Sequence, residues 1–261
     1  SASKLSYWEL GVLADKFANV LKSKGIRRGD RLFLMLPRCE EWYIAMLGMI
    51  KAGVVAMPTP NLATGHDIDY RINSAEAVIA LTDAPGAEKI DAVRDKIPSL
   101  KFKLITGAAR DGWETLETLM NDAPRLCNPN DFGGKTKSAD PMLIFFTSGT
   151  TGNPKMVRHT QAYALGHIVT ARYCQDLRPT DIIWVHADTG WAKAAWGKIF
   201  GQWIIGSTVL QWKMSGKFEP EHMPEIIQRY GVTVFCAPPT AYRMLIGQVD
   251  LKNYDWSQLR H

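Results

Sequence analysis

Short apolar runs alternate with helical segments along most of this 261-residue chain, and the alternation is the strongest constraint on its fold. Alternating strand and helix patterns are typical of βαβ units and a largely parallel sheet. We therefore predict an α/β protein with two successive βα-rich subdomains, whose largely parallel sheets are flanked by helices. The subdomains are expected at 1–120 and 141–261, with a polar connection at 121–140 between them.

The individual elements are predicted from hydrophobic periodicity and from start and stop signals. Ser6 followed by Glu9 is a capping-box pattern, and Thr64 followed by Asp67 marks another helix start. The first subdomain is predicted to contain helices at 6–25, 39–52, 64–75 and 86–97 and strands at 31–36, 54–57, 78–81 and 102–105. The second is predicted to contain strands at 141–146, 181–185, 207–210 and 232–236 and helices at 159–175, 192–203, 220–230 and 239–247.

Composition and charge exclude several classes of function. The chain is 46% hydrophobic and 22% charged, and no apolar run reaches the roughly 18 residues of a membrane helix. The net charge of +5 could attract nucleic acid, but the densest basic group, at 22–31, carries no RNA-binding or helix-turn-helix motif. We therefore predict no nucleic-acid partner and no membrane span.

The cysteines are scattered through the sequence at Cys39, Cys127, Cys174 and Cys236. None of them forms a Cys-x-x-Cys pair, so the sequence predicts no metal site in this chain. A reducing compartment fits this pattern best.

A loop of hydroxyls and glycines follows the predicted strand at 141–146 and ends in Lys155. Glycine lets backbone N–H groups approach phosphate oxygens, hydroxyls add neutral donors, and lysine adds a positive charge. The loop is not a Walker A motif, because no Gly-Lys-Ser/Thr triplet ends it. It lies beyond the carboxyl end of a strand, where open α/β sheets bind ligands. A flexible linker is the alternative; we predict a polyphosphate site built from Thr147, Ser148, Gly149, Thr150, Thr151, Gly152 and Lys155.

Residues 146–155, with the sequence FTSGTTGNPK, resemble the phosphate-binding signature of the adenylate-forming superfamily. That superfamily includes acyl-CoA synthetases, luciferases and peptide-synthetase adenylation domains. Further segments resemble its medium-chain acyl-CoA synthetase branch, namely 29–42, 67–74, 188–196 and 234–245. The chain lacks the family's adenine, hinge and C-terminal-domain motifs. The resemblance therefore implies an incomplete N-terminal domain, which we expect to be inactive by itself.

The resemblance implies an AMP-forming acyl-CoA synthetase, an acid–thiol ligase. Such an enzyme converts a medium-chain fatty or aromatic carboxylate, ATP and CoA to acyl-CoA, AMP and pyrophosphate through an acyl-adenylate. Lys155 would be catalytic and would neutralise charge together with Mg²⁺, while the signature residues hold the ATP phosphates. A carrier-protein adenylation domain and a non-catalytic nucleotide-binding module are the alternatives. The expected location is cytoplasmic, with the mitochondrial matrix as the alternative.

Other site residues are also implied by the resemblance. Gly190, Trp191 and Lys193 are expected at the acyl pocket, because aromatic residues line pockets for apolar ligands. Core packing is the alternative for the tryptophan, and a solvated helix position is the alternative for the lysine. Asn61 occupies a position where family members often present Gln to CoA. His159 is expected at the start of a helix, either in contact with the nucleotide or in a capping or structural role.

Overall fold

The computed structural model describes residues 3–147, 152–213 and 219–261. The chain divides into two compact units, which are described separately below. The first unit is Ser1–Ala162 and the second is Tyr163–His261.

Within its described residues, the first unit contains a seven-stranded sheet with the order β5-β4-β3-β1-β2-β6-β7. Every neighbouring pair is parallel except β6 and β7, which are antiparallel. The strands are β1 Arg31–Met35, β2 Val55–Pro58, β3 Ile79–Thr82, β4 Phe102–Ile105, β5 Glu114–Thr115, β6 Pro141–Thr147 and β7 Lys155–Thr160. The helices are α1 Tyr7–Ser23, α2 Glu40–Ala52, α3 Gly65–Ala75, α4 Ala84–Asp91 and α5 Leu116–Asp122, with 3₁₀ turns at Arg94–Lys96 and Pro129–Phe132.

Both helix starts marked in the sequence are confirmed as capping boxes. The Glu9 N–H donates to Ser6 Oγ at 3.1 Å, and the Glu9 carboxylate accepts from the Ser6 N–H at 2.7 Å. Thr64 and Asp67 make the same reciprocal pair at the start of α3. The Asp67 N–H donates to Thr64 Oγ1 at 3.2 Å, and the Thr64 N–H donates to Asp67 Oδ2 at 2.9 Å. These bonds satisfy N–H groups that a helix end leaves without partners.

The core of the first unit holds α3 firmly against the sheet. Ile68 and Ile72 on α3 are fully buried, and they pack in one cluster with Phe33 of β1 and Phe146 of β6. Burying each isoleucine contributes about 1.5–3 kcal/mol. Helix α3 is therefore a fixed element beside the end of β6.

The second unit contains, within its described residues, a three-stranded parallel sheet with the order β10-β8-β9. Its strands are β8 Ile182–Val185, β9 Thr208–Leu210 and β10 Val234–Cys236. Its helices are α6 Ala162–Val169, α7 Ala192–Ala195, α8 Gly201–Ile205, α9 His222–Tyr230 and α10 Pro239–Gln248, with π-helical turns at Thr170–Cys174 and Trp196–Phe200 and a 3₁₀ turn at Leu251–Asn253. The predicted α/β class with largely parallel sheets is confirmed. None of the described helices is long and apolar enough to cross a membrane.

The boundary between the units differs from the expected one. Strand β6 pairs with β2, so the expected second subdomain at 141–261 loses its first strand to the first sheet, and the division falls after Ala162. The polar connection explains this, because it packs back along α1: Asn19 Nδ2 donates to the carbonyls of Pro124 and Leu126, each at 2.9 Å. The chain thus returns to the edge of β2 instead of leaving the sheet.

The segment after the signature loop also differs from the prediction. Residues 155–160 form β7, antiparallel to β6, where we expected a helix from residue 159. Helix α6 begins only at Ala162. Val157 and Thr160 suit a strand, and pairing with β6 satisfies the backbone groups of this segment. The signature loop therefore connects two strands of a hairpin rather than a strand and a helix.

Candidate functional site

The β6–β7 hairpin places the ends of the signature loop beside each other. Thr147 ends β6 and Lys155 begins β7, and the two residues are register partners. The Thr147 hydroxyl lies 3.5 Å from the Lys155 carbonyl oxygen, and both residues are exposed. Because β6 is buried up to Phe146, the exposed hydroxyl and ammonium groups stand at the carboxyl end of a fixed strand, where α/β sheets bind ligands.

Of the predicted phosphate-site residues, Thr147, Gly152 and Lys155 lie within the described part of the chain, while Ser148, Gly149, Thr150 and Thr151 lie outside it. Gly152 has φ +85°, in the left-handed region that favours glycine. A side chain at this position would strain the backbone just before Lys155. The described part of the loop therefore agrees with a conformation that depends on glycine.

His159 lies within β7 and not at a helix start, so a helix-capping role is wrong. Its ring meets that of Phe145 edge to face, with the centroids 6.0 Å apart. Burial lowers the pKa of the His159 imidazole below its usual value. The neutral form is therefore favoured on this face of the hairpin.

Asn61 lines a cavity of about 230 Å³ in the first unit. The cavity lies beyond the carboxyl ends of β1 and β3, and its lining comprises Met35, Asn61, Asp83, Pro85, Gly86 and Lys89. Lys89 Nζ donates to the Asn61 carbonyl at 2.6 Å and holds this loop in place. Asp83 accepts from the Gly86 N–H at 3.1 Å and thereby caps α4. Asn61 thus belongs to a formed depression with both charged and apolar walls.

The predicted acyl-pocket residues lie together in the second unit, at the turn from β8 into α7. The Gly190 N–H donates to Asp188 Oδ1 at 2.9 Å, which fixes the turn. Trp191 is the N-cap of α7 and is 58% exposed, so simple core packing does not account for it. Lys193 follows on the same short helix and is half-buried. Trp196, by contrast, stacks on His167 with the ring centroids 5.9 Å apart.

Lys198 is a feature of this unit that the sequence analysis missed. Its side chain is fully buried, and Nζ donates to the Ala187 carbonyl at 2.9 Å and to Gln211 Oε1 at 3.0 Å. These contacts join the segments that follow β8 and β9. The sequence carries no distinctive signal for this burial, because lysines are mostly exposed and almost never fully buried unless they are paired.

No cluster of three His, Cys, Asp or Glu side chains that could hold a metal ion occurs among residues 3–147, 152–213 and 219–261.

The basic group at 22–31 is largely paired within the first unit. Lys22 Nζ lies 2.7 Å from Asp131 Oδ2, and Arg28 and Arg31 also face carboxylates. Much of the positive charge in that group is therefore used in local ion pairs.

Comparison with known proteins places this arrangement in a family. Residues 1–261 match the AMP-binding enzyme family. The Homo sapiens protein named acyl-coenzyme A synthetase ACSM3, mitochondrial, is 41% identical over 259 residues, which are 98% of this chain and 43% of the relative. The Rattus norvegicus protein named acyl-coenzyme A synthetase ACSM4, mitochondrial, is 39% identical over 261 residues, which are 99% of this chain and 44% of the relative. The chain thus spans less than half the length of these curated relatives.

Solved structures share the fold. The anthranilate CoA ligase AuaEII, in complex with anthranoyl-AMP, aligns with a TM-score of 0.91 at 20% identity, over 98% of this chain and 49% of that one. A Brucella canis acyl-CoA synthetase aligns with a TM-score of 0.86 at 24% identity, over 95% of this chain and 44% of that one. At these identities the likeness concerns the fold alone.

Proposed function

Because the chain belongs to the AMP-binding enzyme family, we propose that the full-length protein is an AMP-forming acyl-CoA synthetase acting on a medium-chain fatty or aromatic carboxylate. The observation that carries this proposal is the β6–β7 hairpin. It sets the exposed Thr147 and Lys155 opposite each other at the carboxyl end of a buried strand, with hydroxyl and glycine residues between them in the sequence. The names of the relatives above support the ligase activity.

In the first half-reaction, a carboxylate oxygen attacks the α-phosphorus of ATP, and pyrophosphate leaves with the electrons of the broken P–O bond. Nucleophile and target are both negatively charged, so the site must neutralise charge before attack. Lys155 supplies a cation on β7, and the hydroxyl-rich loop supplies donors for the β- and γ-phosphates. Stabilising the charge on the departing pyrophosphate lowers the barrier.

In the second half-reaction, the thiol sulfur of CoA attacks the acyl carbon, the C–O bond to AMP breaks, and AMP leaves with the electrons of that bond while the thiol proton passes to solvent. We assign Asn61 to the binding of CoA, because it lines a cavity beyond the carboxyl ends of β1 and β3. Gly190, Trp191 and Lys193 are assigned to the acyl group, with the indole of Trp191 as its apolar contact.

Magnesium would accompany the ATP phosphates and supply positive charge to them. Mg²⁺ is usually bound through one or two protein carboxylates together with the substrate phosphates. We assign it no protein ligand in this chain.

Pyrophosphate exchange into ATP by the full-length protein, across C2–C12 and aromatic carboxylates, tests the proposal. Exchange with a medium-length or aromatic acid, followed by CoA-dependent release of AMP, is the expected result. Exchange without any response to CoA would instead identify a carrier-protein adenylation domain. Absence of exchange with every acid would leave a nucleotide-binding module without this chemistry.

Replacing Trp191 tests the acyl pocket. We expect Trp191→Ala to raise the KM for the carboxylate about tenfold, because an aromatic contact contributes about 1.5 kcal/mol. The KM for ATP should stay unchanged. Trp8→Ala is the matched control, since Trp8 is also exposed, at 72%, but lies on α1 in the first unit. Equal KM values for the two variants would remove Trp191 from the pocket.

Replacing Asn61 tests the CoA assignment. We expect Asn61→Ala to raise the KM for CoA about two- to tenfold, which corresponds to one net hydrogen bond. Pyrophosphate exchange precedes CoA binding and should not change. The exposed Asn121 serves as the control through Asn121→Ala. A changed rate of pyrophosphate exchange would count against the assignment. So would an unchanged KM for CoA.

The location of the protein is also proposed from its relatives. Both curated relatives above carry "mitochondrial" in their names, and this supports the mitochondrion over the cytoplasm. Fractionation of cells with antibody detection would decide between the two compartments.

A further inference from the structure

Two neighbouring residues of α3 contact both ends of the signature loop. On the β7 side, the Tyr70 hydroxyl donates to the Pro154 carbonyl at 3.1 Å. Pro154 directly precedes Lys155, and the bond joins residues 84 positions apart in sequence. Since the ring of proline restricts its backbone, holding its carbonyl constrains the direction in which β7 begins.

On the β6 side, both residues meet Phe146, which directly precedes Thr147. The rings of Tyr70 and Phe146 lie edge to face with their centroids 6.0 Å apart. The guanidinium carbon of Arg71 lies 5.1 Å from the centre of the Phe146 ring, a cation–π distance.

Helix α3 is anchored well enough to hold the hairpin. The capping box of Thr64 and Asp67 fixes its start, and Ile68 and Ile72 bury its inner face in the cluster that contains Phe146. The hydroxyl of Tyr70 therefore projects from a rigid element. Arg71 Nε is buried and makes no hydrogen bond with any described residue. The cation–π contact with Phe146 is thus its principal described interaction with the hairpin.

We propose that Tyr70 is a positioning residue for the nucleotide-binding loop: its hydroxyl holds the Pro154 carbonyl and thereby sets where Lys155 meets the ATP phosphates. Arg71 holds the other end of the loop through Phe146. This inference rests on the proposed function, because it assumes that the loop binds ATP. It concerns the geometry of the loop and assigns neither residue to the reacting atoms.

Tyr70→Phe in the full-length protein tests the proposal, because it removes one hydroxyl and keeps the ring contact with Phe146. We expect the KM for ATP to rise about two- to tenfold, the effect of one net hydrogen bond. The KM values for the carboxylate and for CoA should stay unchanged. Tyr254→Phe is the matched control, since this half-buried residue lies in the second unit. An unchanged KM for ATP, or an equal change for all three substrates with a lowered melting temperature, would overturn the proposal.

Amide hydrogen exchange of the full-length protein gives a readout that needs no activity. We expect Tyr70→Phe to speed exchange at 152–157 and leave α1 and α2 at wild-type rates, because only the start of β7 loses its contact. An unchanged rate of amide hydrogen exchange at 152–157 would contradict the inference even in a protein without synthetase activity. Failure of the proposed function itself would show in the wild type, as absence of pyrophosphate exchange.

Discussion

Lys155→Met in the full-length protein should lower kcat/KM for pyrophosphate exchange about 10- to 100-fold. The substitution keeps the length and much of the apolar stem of the side chain but removes its charge. A hydrogen bond to a charged group contributes about 1.5–3 kcal/mol, which corresponds to this range of rates. Because Lys155 is exposed at the start of β7, the loss should appear in catalysis and not in folding.

A matched substitution separates the role of Lys155 from a general effect of charge. Lys101 is also an exposed lysine of the first unit, so Lys101→Met changes net charge equally. We expect Lys101→Met to keep the wild-type rate of pyrophosphate exchange. If Lys155→Met kept at least half of the wild-type rate, Lys155 would not be the cation that neutralises the phosphates, and the loop would act through its hydroxyl and N–H donors alone.

Gly201→Ala should lower the free energy of unfolding by about 1–3 kcal/mol or more, as overpacking of a close contact does. A Cβ atom at Gly201 would lie 2.4 Å from the His167 carbonyl oxygen and 2.4 Å from Ala171 Cβ. The first neighbour is backbone, so no rotation of a side chain relieves the clash. The helical segments that carry these residues would have to separate, and His167 would shift against Trp196.

Gly166→Ala is the control for this substitution. Gly166 lies in α6 of the same unit, and a Cβ there would meet no atom within 4 Å. Alanine is a better helix former than glycine by about 0.5–1 kcal/mol, so the control should be neutral or stabilising. Thermal unfolding of both variants in the full-length protein provides the measurement. Equal melting temperatures would show that the two helical segments are less closely packed than the structure describes.

The sequence analysis predicted a helix from residue 159 and missed β7, because a strand in a hairpin is defined by its partner. Residues 155–160 could be read as the approach to a helix, because the helical pattern from Ala162 onward is strong and the two segments adjoin. What makes them a strand is pairing with β6 along the register from Pro141↔Thr160 to Thr147↔Lys155. The partner lies across the signature loop, so the periodicity of 155–160 alone carries little of this information.

The boundary between the units differs from the expected subdomain boundary for a similar reason. The polar composition of 121–140 resembles that of a linker, but Asn19 and the buried Phe132 tie the segment to the first unit. Contacts of this kind join residues about a hundred positions apart, and composition does not encode them. The buried lysine at 198 is a further case, because its acceptors come from the ends of two different strands.

The sequence by itself determined the features that depend on neighbouring residues. The capping boxes at Ser6 and Thr64, the α/β alternation and the phosphate-binding signature all follow from local hydrogen bonding, local periodicity and residue chemistry. Only the tertiary structure decided that the signature closes a hairpin and that Tyr70 meets Pro154. These contacts join segments far apart in sequence. They form because burial of α3 and β6 in one core brings the segments together, which no short stretch of sequence specifies.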